Sequence, residues 1–268
     1  MALSDSLAAN RSHSVWPVVF VGHGTPLNAL RDNAFTRAWA RLGETLGRPR
    51  AILSISAHWY TRGTRVTAME QPATLYDFGY QNMFHLNYPA PGSPTLAARG
   101  AELLKPWPVV FDHDWGFDHG TWSVLLRMFP TADIPTVQLS LDGTSAGKQH
   151  RALGRMLRPL REEGVLIMCS GNIVHNLERS VRHGVAQPFD WAERFDSLVR
   201  DKLVSREWDA LEDYAALSPD AELAVPTPDH YLPLLYALGA AEPMESISFP
   251  VEEIDRGSMS MRTIVWGG

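Results

Sequence analysis

Three histidines occupy the same kind of position, and together they could hold a divalent metal ion. His23 follows Val18-Val19-Phe20-Val21-Gly22, and His58 follows Ile52-Leu53-Ser54-Ile55-Ser56-Ala57. His175 stands just beyond Val165-Leu166-Ile167-Met168-Cys169-Ser170-Gly171. Each apolar run reads as a buried strand, so each imidazole sits at or just past a strand's carboxyl end. In open α/β sheets that edge is where ligands bind. If the three strands are neighbours, the rings converge although they are far apart in sequence. Two further histidines could join them: His230, in the Pro226–Tyr231 loop ahead of an apolar helix, and His119, in the turn Asp118-His119-Gly120. Imidazole is neutral near pH 7 and offers one lone pair to zinc, iron or copper. A catalytic metal usually keeps three protein ligands and leaves positions open. Three neutral ligands leave its full charge in place, which favours an anionic ligand.

Residue type and spacing do not choose the chemistry. A lone histidine after a strand is more often a hydrogen-bonded structural residue than a ligand. Three such placements shift that balance, but no His-Glu-x-x-His or Cys-x-x-Cys fixes a site locally. Three histidines suit a zinc hydrolase as well as an oxygenase, and the usual non-haem iron triad has two histidines and a carboxylate.

The elements that must position these residues alternate along the chain. Strands are expected at Trp16–Val21, Ala51–Ala57, Val109–Phe111, Pro135–Leu141 and Val165–Ser170, with final strands at Ser246–Phe249 and Met259–Trp266. Helical periodicity runs through Asn33–Gly47, where Phe35, Trp39, Leu42 and Leu46 share a face, and through Pro94–Leu104, Thr121–Met128 and Ala146–Glu163. It recurs in Trp191–Val204, Trp208–Ala216 and Pro228–Leu238. Gln71–Pro94, rich in Tyr, Asn, Gly and Pro, reads as a long loop, and long loops in compact domains are often functional. Alternation of this kind predicts an α/β fold: a single layered domain over 1–268, with a central, mostly parallel or mixed sheet flanked by helices. Residues 1–14 are expected to form a loosely ordered arm.

Composition excludes several classes. The net charge is −6 with no basic run, so nucleic acid is not an expected partner. No apolar stretch approaches bilayer length, and 1–14 lack the apolar centre of a signal peptide, so no membrane partner and a cytoplasmic location are expected. Cys169, the one cysteine, excludes an intramolecular disulfide. A monomer or small homo-oligomer is compatible with all of this.

Five short segments become specific when read in order. They are Gly22-His23-Gly24-Thr25-Pro26, Ser56-Ala57-His58-Trp59, Asp118-His119-Gly120-Thr121-Trp122, Gly171-Asn172-Ile173-Val174-His175-Asn176-Leu177 and Pro228-Asp229-His230-Tyr231-Leu232-Pro233. Together, and over nearly the whole chain, they resemble the DOPA-dioxygenase-like branch of the class III extradiol ring-cleavage dioxygenases. That group includes the catalytic subunit of protocatechuate 4,5-dioxygenase. The resemblance implies one α/β domain with a mononuclear non-haem centre. Fe(2+) is expected for activity, and Zn(2+) is an alternative occupant. His23, His58 and His230 match the metal-ligand positions. His230 stands where other class III enzymes use a glutamate. His175 matches the acid/base position, and His119 a position that polarises a substrate oxygen. The implied reaction opens a small aromatic diol such as DOPA with O2. A zinc-dependent hydrolase and a non-catalytic metal-binding homologue are the alternatives.

Tyr231, Thr25 and Asn176 are the candidates for touching that substrate. Each has a plainer reading: Tyr231 as a helix cap, Thr25 as support for the His23 turn, Asn176 as a turn residue. Trp59 and Trp122 could wall an aromatic pocket, although a core role suits each better. A structural ion pair is the safer reading of Arg262. His13, His85, His113, His150 and His183 carry no placement argument.

Overall fold

Apolar residues on both faces of the strands require a sheet covered twice. In the computed structural model, which describes residues 15–181 and 186–267, that is the arrangement. The strands are β1 (Val18–Gly22), β2 (Ala51–Thr61), β3 (Thr64–Thr67), β4 (Val109–Asp112), β5 (Thr136–Asp142), β6 (Val165–Gly171), β7 (Ile247–Val251), β8 (Ile254–Asp255), β9 (Met259–Ser260) and β10 (Thr263–Trp266). Among the described residues seven α-helices accompany them: α1 (Ala34–Leu46), α2 (Pro94–Leu103), α3 (His119–Met128), α4 (Gly147–Leu157), α5 (Asp190–Val204), α6 (Ala221–Ala224) and α7 (Leu232–Ala240). The main sheet has the order β4-β3-β5-β2-β6-β1-β10-β7. Its centre, β5-β2-β6-β1, is parallel, and antiparallel pairings join β3 to β5 and β10 to both β1 and β7. The sheet is therefore mixed, with helices on both faces, as the alternation predicts. The arm expected over 1–14, together with His13 and His183, lies outside the described residues.

The two-residue repeat of a strand divides the core. Val18, Phe20, Leu53, Ile55, Ile167 and Cys169 point to one face, where α2, α4, α5 and α7 pack. Val19, Val21, Ile52, Leu166 and Met168 point to the other, under α1 and α3. Each fully buried side chain of this kind stabilises by roughly 1.5–3 kcal/mol. Helix α7 is buried at every residue because it lies between the sheet and α4. Helix α1 begins where Asn33 and Thr36 exchange side-chain-to-backbone hydrogen bonds, a reciprocal cap, and it stops at Gly47. Among the described residues no helix is long and apolar enough to cross a membrane.

Several boundaries differ from the sequence reading, each for a local reason. Helix α4 ends at Leu157 and tightens into a 3-10 turn over Arg158–Arg161, where Pro159 supplies no N–H. Trp208–Ala216 is 3-10 rather than α, broken at Asp213. Helix α7 starts at Leu232, not at Pro228, so His230 and Tyr231 precede it. The final strand divides because Arg262, between β9 and β10, turns into a buried pairing with Asp196 and donates to Glu252 at 2.6 Å. Strand β3, four residues long, was not foreseen.

Candidate metal centre

Strands β2, β6 and β1 are consecutive neighbours in the sheet, so their carboxyl ends bring the expected histidines together. His23 is the residue after β1, and its N–H donates to the Gly171 carbonyl at 3.1 Å. His58 lies inside β2 rather than beyond it, because the strand continues to Thr61. The register of β2 against β5 shifts between Ile55 and Tyr60, and His58 falls in that irregular stretch. Such bulges re-aim side chains beside active sites. His230 comes from a different loop and needs a close backbone approach. Gly171 permits it: a Cβ there would sit 2.2 Å from the His230 carbonyl oxygen, which accepts from Asn172 N–H at 2.9 Å. His119 opens α3 behind its N-cap Asp118. The next residue is again a glycine under steric demand, since a Cβ on Gly120 would meet Ser56 Oγ at 2.6 Å and the His58 ring at 3.0 Å.

The hydrogen bonds determine which nitrogen of each ring is bare. Ser170 Oγ donates its single hydrogen to the Gly120 carbonyl at 2.6 Å, so at 3.0 Å from His23 Nδ1 it accepts. The Asp77 carboxylate lies 3.3 Å from His58 Nδ1, and the Asp229 carboxylate accepts from His230 Nδ1. All three rings therefore carry hydrogen on Nδ1 and a lone pair on Nε2. His23 Nε2 and His58 Nε2 face each other at 3.0 Å. His230 Nε2 is buried with no partner among the described residues. One ligand atom from each of these rings lies within 4.8 Å of the others. Facing lone pairs repel unless a cation or a proton lies between them. Burial, and then the neighbouring imidazoles, hold His23 far below the ordinary imidazole range, and burial drives His58 down to about 3, so a proton is disfavoured. The donor set fits a divalent metal.

His175 lies flat on His230, with ring centroids 3.5 Å apart and planes 5° from parallel. Burial lowers it to about 4, against the opposing charge of Asp229, so it is neutral at pH 7 and able to accept a proton. His119 donates from Nδ1 to Asp77 at 2.9 Å, and its ring is 3.8 Å from that of His58. One carboxylate thus serves both rings. The alternative group His58, Asp77 and His119 also has metal-ligand spacing, but there Asp77 is already engaged by two Nδ1 atoms.

These depressed imidazoles give a pH prediction for the metal-free protein. The unfolded chain takes up protons as the pH falls through about 6.5, while folded His175 and His58 resist until about 4 and about 3. Their contribution to stability is complete above pH 6.5 and is lost progressively below it, on the order of 1–3 kcal/mol for each ring. Urea midpoints of metal-free protein should fall steadily between pH 7 and pH 4.5. A flat midpoint over that range would contradict the assignment.

The remaining candidates divide. Tyr231, expected at the substrate, is corrected by its placement: it is fully buried, its hydroxyl donates to the Leu211 carbonyl at 3.2 Å, and its ring packs on Tyr214. Thr25 caps the turn Pro26–Ala29, and both ends of the Asn176 amide are used by backbone, at Leu223 O and Arg179 N. Trp59 is buried and stacked on Trp115, and Trp122 is buried with its indole N–H on Leu75 O. Arg262 is the structural ion pair expected of it. Among the other histidines, His150 is buried without a partner for either nitrogen among the described residues.

Ser170, Asp77 and Asp229, the outer partners of the three rings, were missed in the sequence. Two of them border or lie within the five short segments, Ser170 directly ahead of Gly171 and Asp229 before His230. A ligating histidine nearly always gives its second N–H to an oxygen acceptor, and that rule could have found them. Asp77, in the long loop, carried no signal.

Comparisons with known proteins bear on this geometry. The family described as the catalytic LigB subunit of aromatic ring-opening dioxygenase matches residues 7–257. The chain is 50% identical over 257 residues to a protein of Escherichia coli (strain K12) named 4,5-DOPA dioxygenase extradiol, covering 94% of each. A Beta vulgaris protein of the same name is 38% identical over 252 residues, covering 90% of this chain and 92% of that one. The crystal structure of an uncharacterised Escherichia coli K12 protein superposes with a TM-score of 0.84 at 49% identity, covering 94% of this chain and 100% of that one. These matches do not favour the hydrolase or the non-catalytic alternative.

Proposed function

The chain belongs to the family of the catalytic LigB subunit of aromatic ring-opening dioxygenases, and from that premise we propose that it opens a small, DOPA-like catechol with O2 at a mononuclear metal held by His23, His58 and His230. It is a metal-dependent extradiol dioxygenase. The observation that carries the ligand assignment is the convergence of three bare Nε2 atoms, two of them face to face and the third buried and unpartnered.

A divalent metal there would supply positive charge that lowers the diol pKa and a common centre for diol and O2. Imidazole donors accept iron and zinc alike, but only iron has the redox chemistry, so Fe(2+) is the active ion and Zn(2+) an inactive occupant. The protein's own residues do the rest. Ser170, Asp77 and Asp229 fix the three ring orientations and tautomers. His175, neutral and stacked on His230, takes the proton that the diol releases and can return it. His119, donating through Nδ1 to Asp77, keeps Nε2 as an acceptor for a substrate hydroxyl and so orients it. Burial of the cluster keeps bulk water from competing for the same atoms.

Anaerobic reconstitution with Fe(2+), followed by admission of O2 in the presence of a series of catechols, tests the reading. One O2 should be consumed per catechol, with a coloured ring-opened product. Zinc-loaded protein should consume none. Iron-loaded protein that takes up no O2 with any diol would refute the proposal.

A further inference from the structure

Exposure shows where the histidine cluster opens. His23, His119 and His230 are 1%, 5% and 6% exposed, whereas the side chains of His58 and Asp77 are 20% and 21% exposed and His175 is partly exposed. A diol therefore approaches past His58, Asp77 and His175. Asp77 ties the long loop after β3 to this opening. Its carboxylate accepts from the His119 backbone N–H and from His119 Nδ1, each at 2.9 Å, and lies 3.3 Å from His58 Nδ1.

The same loop carries aromatic rings to the rim. Phe78, next to Asp77, is half-buried and meets His119 edge to face, with ring centroids 5.6 Å apart and planes at 89°. Its centroid is 6.1 Å from each of Tyr80, Phe84 and Trp122. Trp122 is buried behind it, while Tyr80 and Phe84 are exposed, and exposed apolar patches of this kind mark ligand grooves. The loop is fixed in place. The Tyr76 hydroxyl donates to the Leu86 carbonyl at 2.6 Å, Thr74 Oγ1 accepts from Tyr88 N–H at 2.9 Å, and Met83 is fully buried. The metal and the imidazoles address the oxygens of a diol. Its carbon ring needs an apolar neighbour beside His119, and Phe78 is placed to be one.

We propose that Phe78 is the specificity-determining wall of the diol site: it packs against the carbon ring of the catechol while His119 orients a hydroxyl, and its bulk restricts the site to single-ring diols. The assignment rests on the ring-opening reading above and deepens it by naming the residue that sets ring size. Contact between two aromatic rings changes affinity by about two- to tenfold.

Anaerobic titration calorimetry on Zn(2+)-loaded protein tests it without turnover. The probes are 4-methylcatechol, with one ring, and 2,3-dihydroxynaphthalene, with two. Phe78→Ala should weaken 4-methylcatechol by about two- to tenfold and strengthen the naphthalene diol. Phe78→Leu keeps an apolar side chain that holds the loop, and it should move the ratio of the two affinities the same way by a smaller factor. Phe78→Trp should move that ratio in the opposite direction. In O2 uptake by iron-loaded protein, Phe78→Leu should raise KM for 4-methylcatechol and leave kcat within about twofold, as loss of uniform binding does. A side chain that only supported Asp77 would, on substitution, lose metal and weaken both probes alike. That result, or an affinity ratio unchanged in all three variants, makes the wall assignment wrong while the ring-opening reading stands. If wild-type protein binds neither probe, the diol site is wrong and the wall assignment falls with it.

Discussion

His23→Ala should lose metal and ring opening together. His23 is one of the three proposed ligands: its Nε2 faces His58 Nε2 at 3.0 Å, and its ring is 5.3 Å from that of His230. Removing an outer partner of a ligand typically weakens metal binding 10- to 100-fold, so removing the ligand itself should cost more than about 100-fold. Metal content after dialysis, measured by mass spectrometry, should fall close to background, and O2 uptake with it. Ser170→Ala provides the graded comparison. It takes away the acceptor that holds His23 Nδ1–H, and it should weaken binding by about 10- to 100-fold without abolishing it. Circular dichroism of the metal-free variants should match the wild type, because the change removes one ring from a site in which lone pairs already oppose each other. If His23→Ala retained stoichiometric metal, the ligand set would have to be redrawn.

The second large effect separates proton transfer from metal binding. His175→Phe should lower turnover by about 10²- to 10⁴-fold, the usual contribution of a general acid–base group. It should leave metal content within about twofold of the wild type, since the stack on His230 needs only a flat ring. Phenylalanine keeps that contact and has no nitrogen to accept a proton. His175 is also held by its backbone, whose N–H donates to Ala224 O at 2.8 Å, so the loop should keep its course. Single-turnover measurements on iron-loaded protein would show catechol binding intact and its consumption slowed. Metal and turnover lost in equal measure would instead make His175 a structural support for His230.

Much of this site was legible along the chain because strand ends are legible. Each apolar run has a length and a termination that local chemistry fixes, and a residue just past it falls on the sheet's carboxyl edge whatever the partners are. His23, His58 and His175 could be placed in that way. Tyr231 could not. It is next to His230, yet adjacent residues entering a helix project in different directions, and only the packed surface of α5 and the 208–216 segment decides which of the two turns inward. Asp77 was invisible for a related reason: a loop's pattern does not say where its carboxylate ends.

What the sequence determined by itself was the class of fold, the positions of the central strands and the supply of imidazoles, because burial and backbone preference act over a few residues. What the tertiary structure decided was that β2, β6 and β1 lie side by side, that Gly171 lets the His230 backbone approach, and that Ser170, Asp77 and Asp229 each hold one Nδ1. Most of those contacts join segments far apart in the chain, as Ser170 and His23 are, 147 residues from each other. They depend on which strand pairs with which, a choice made by the whole packed core and written in no local pattern.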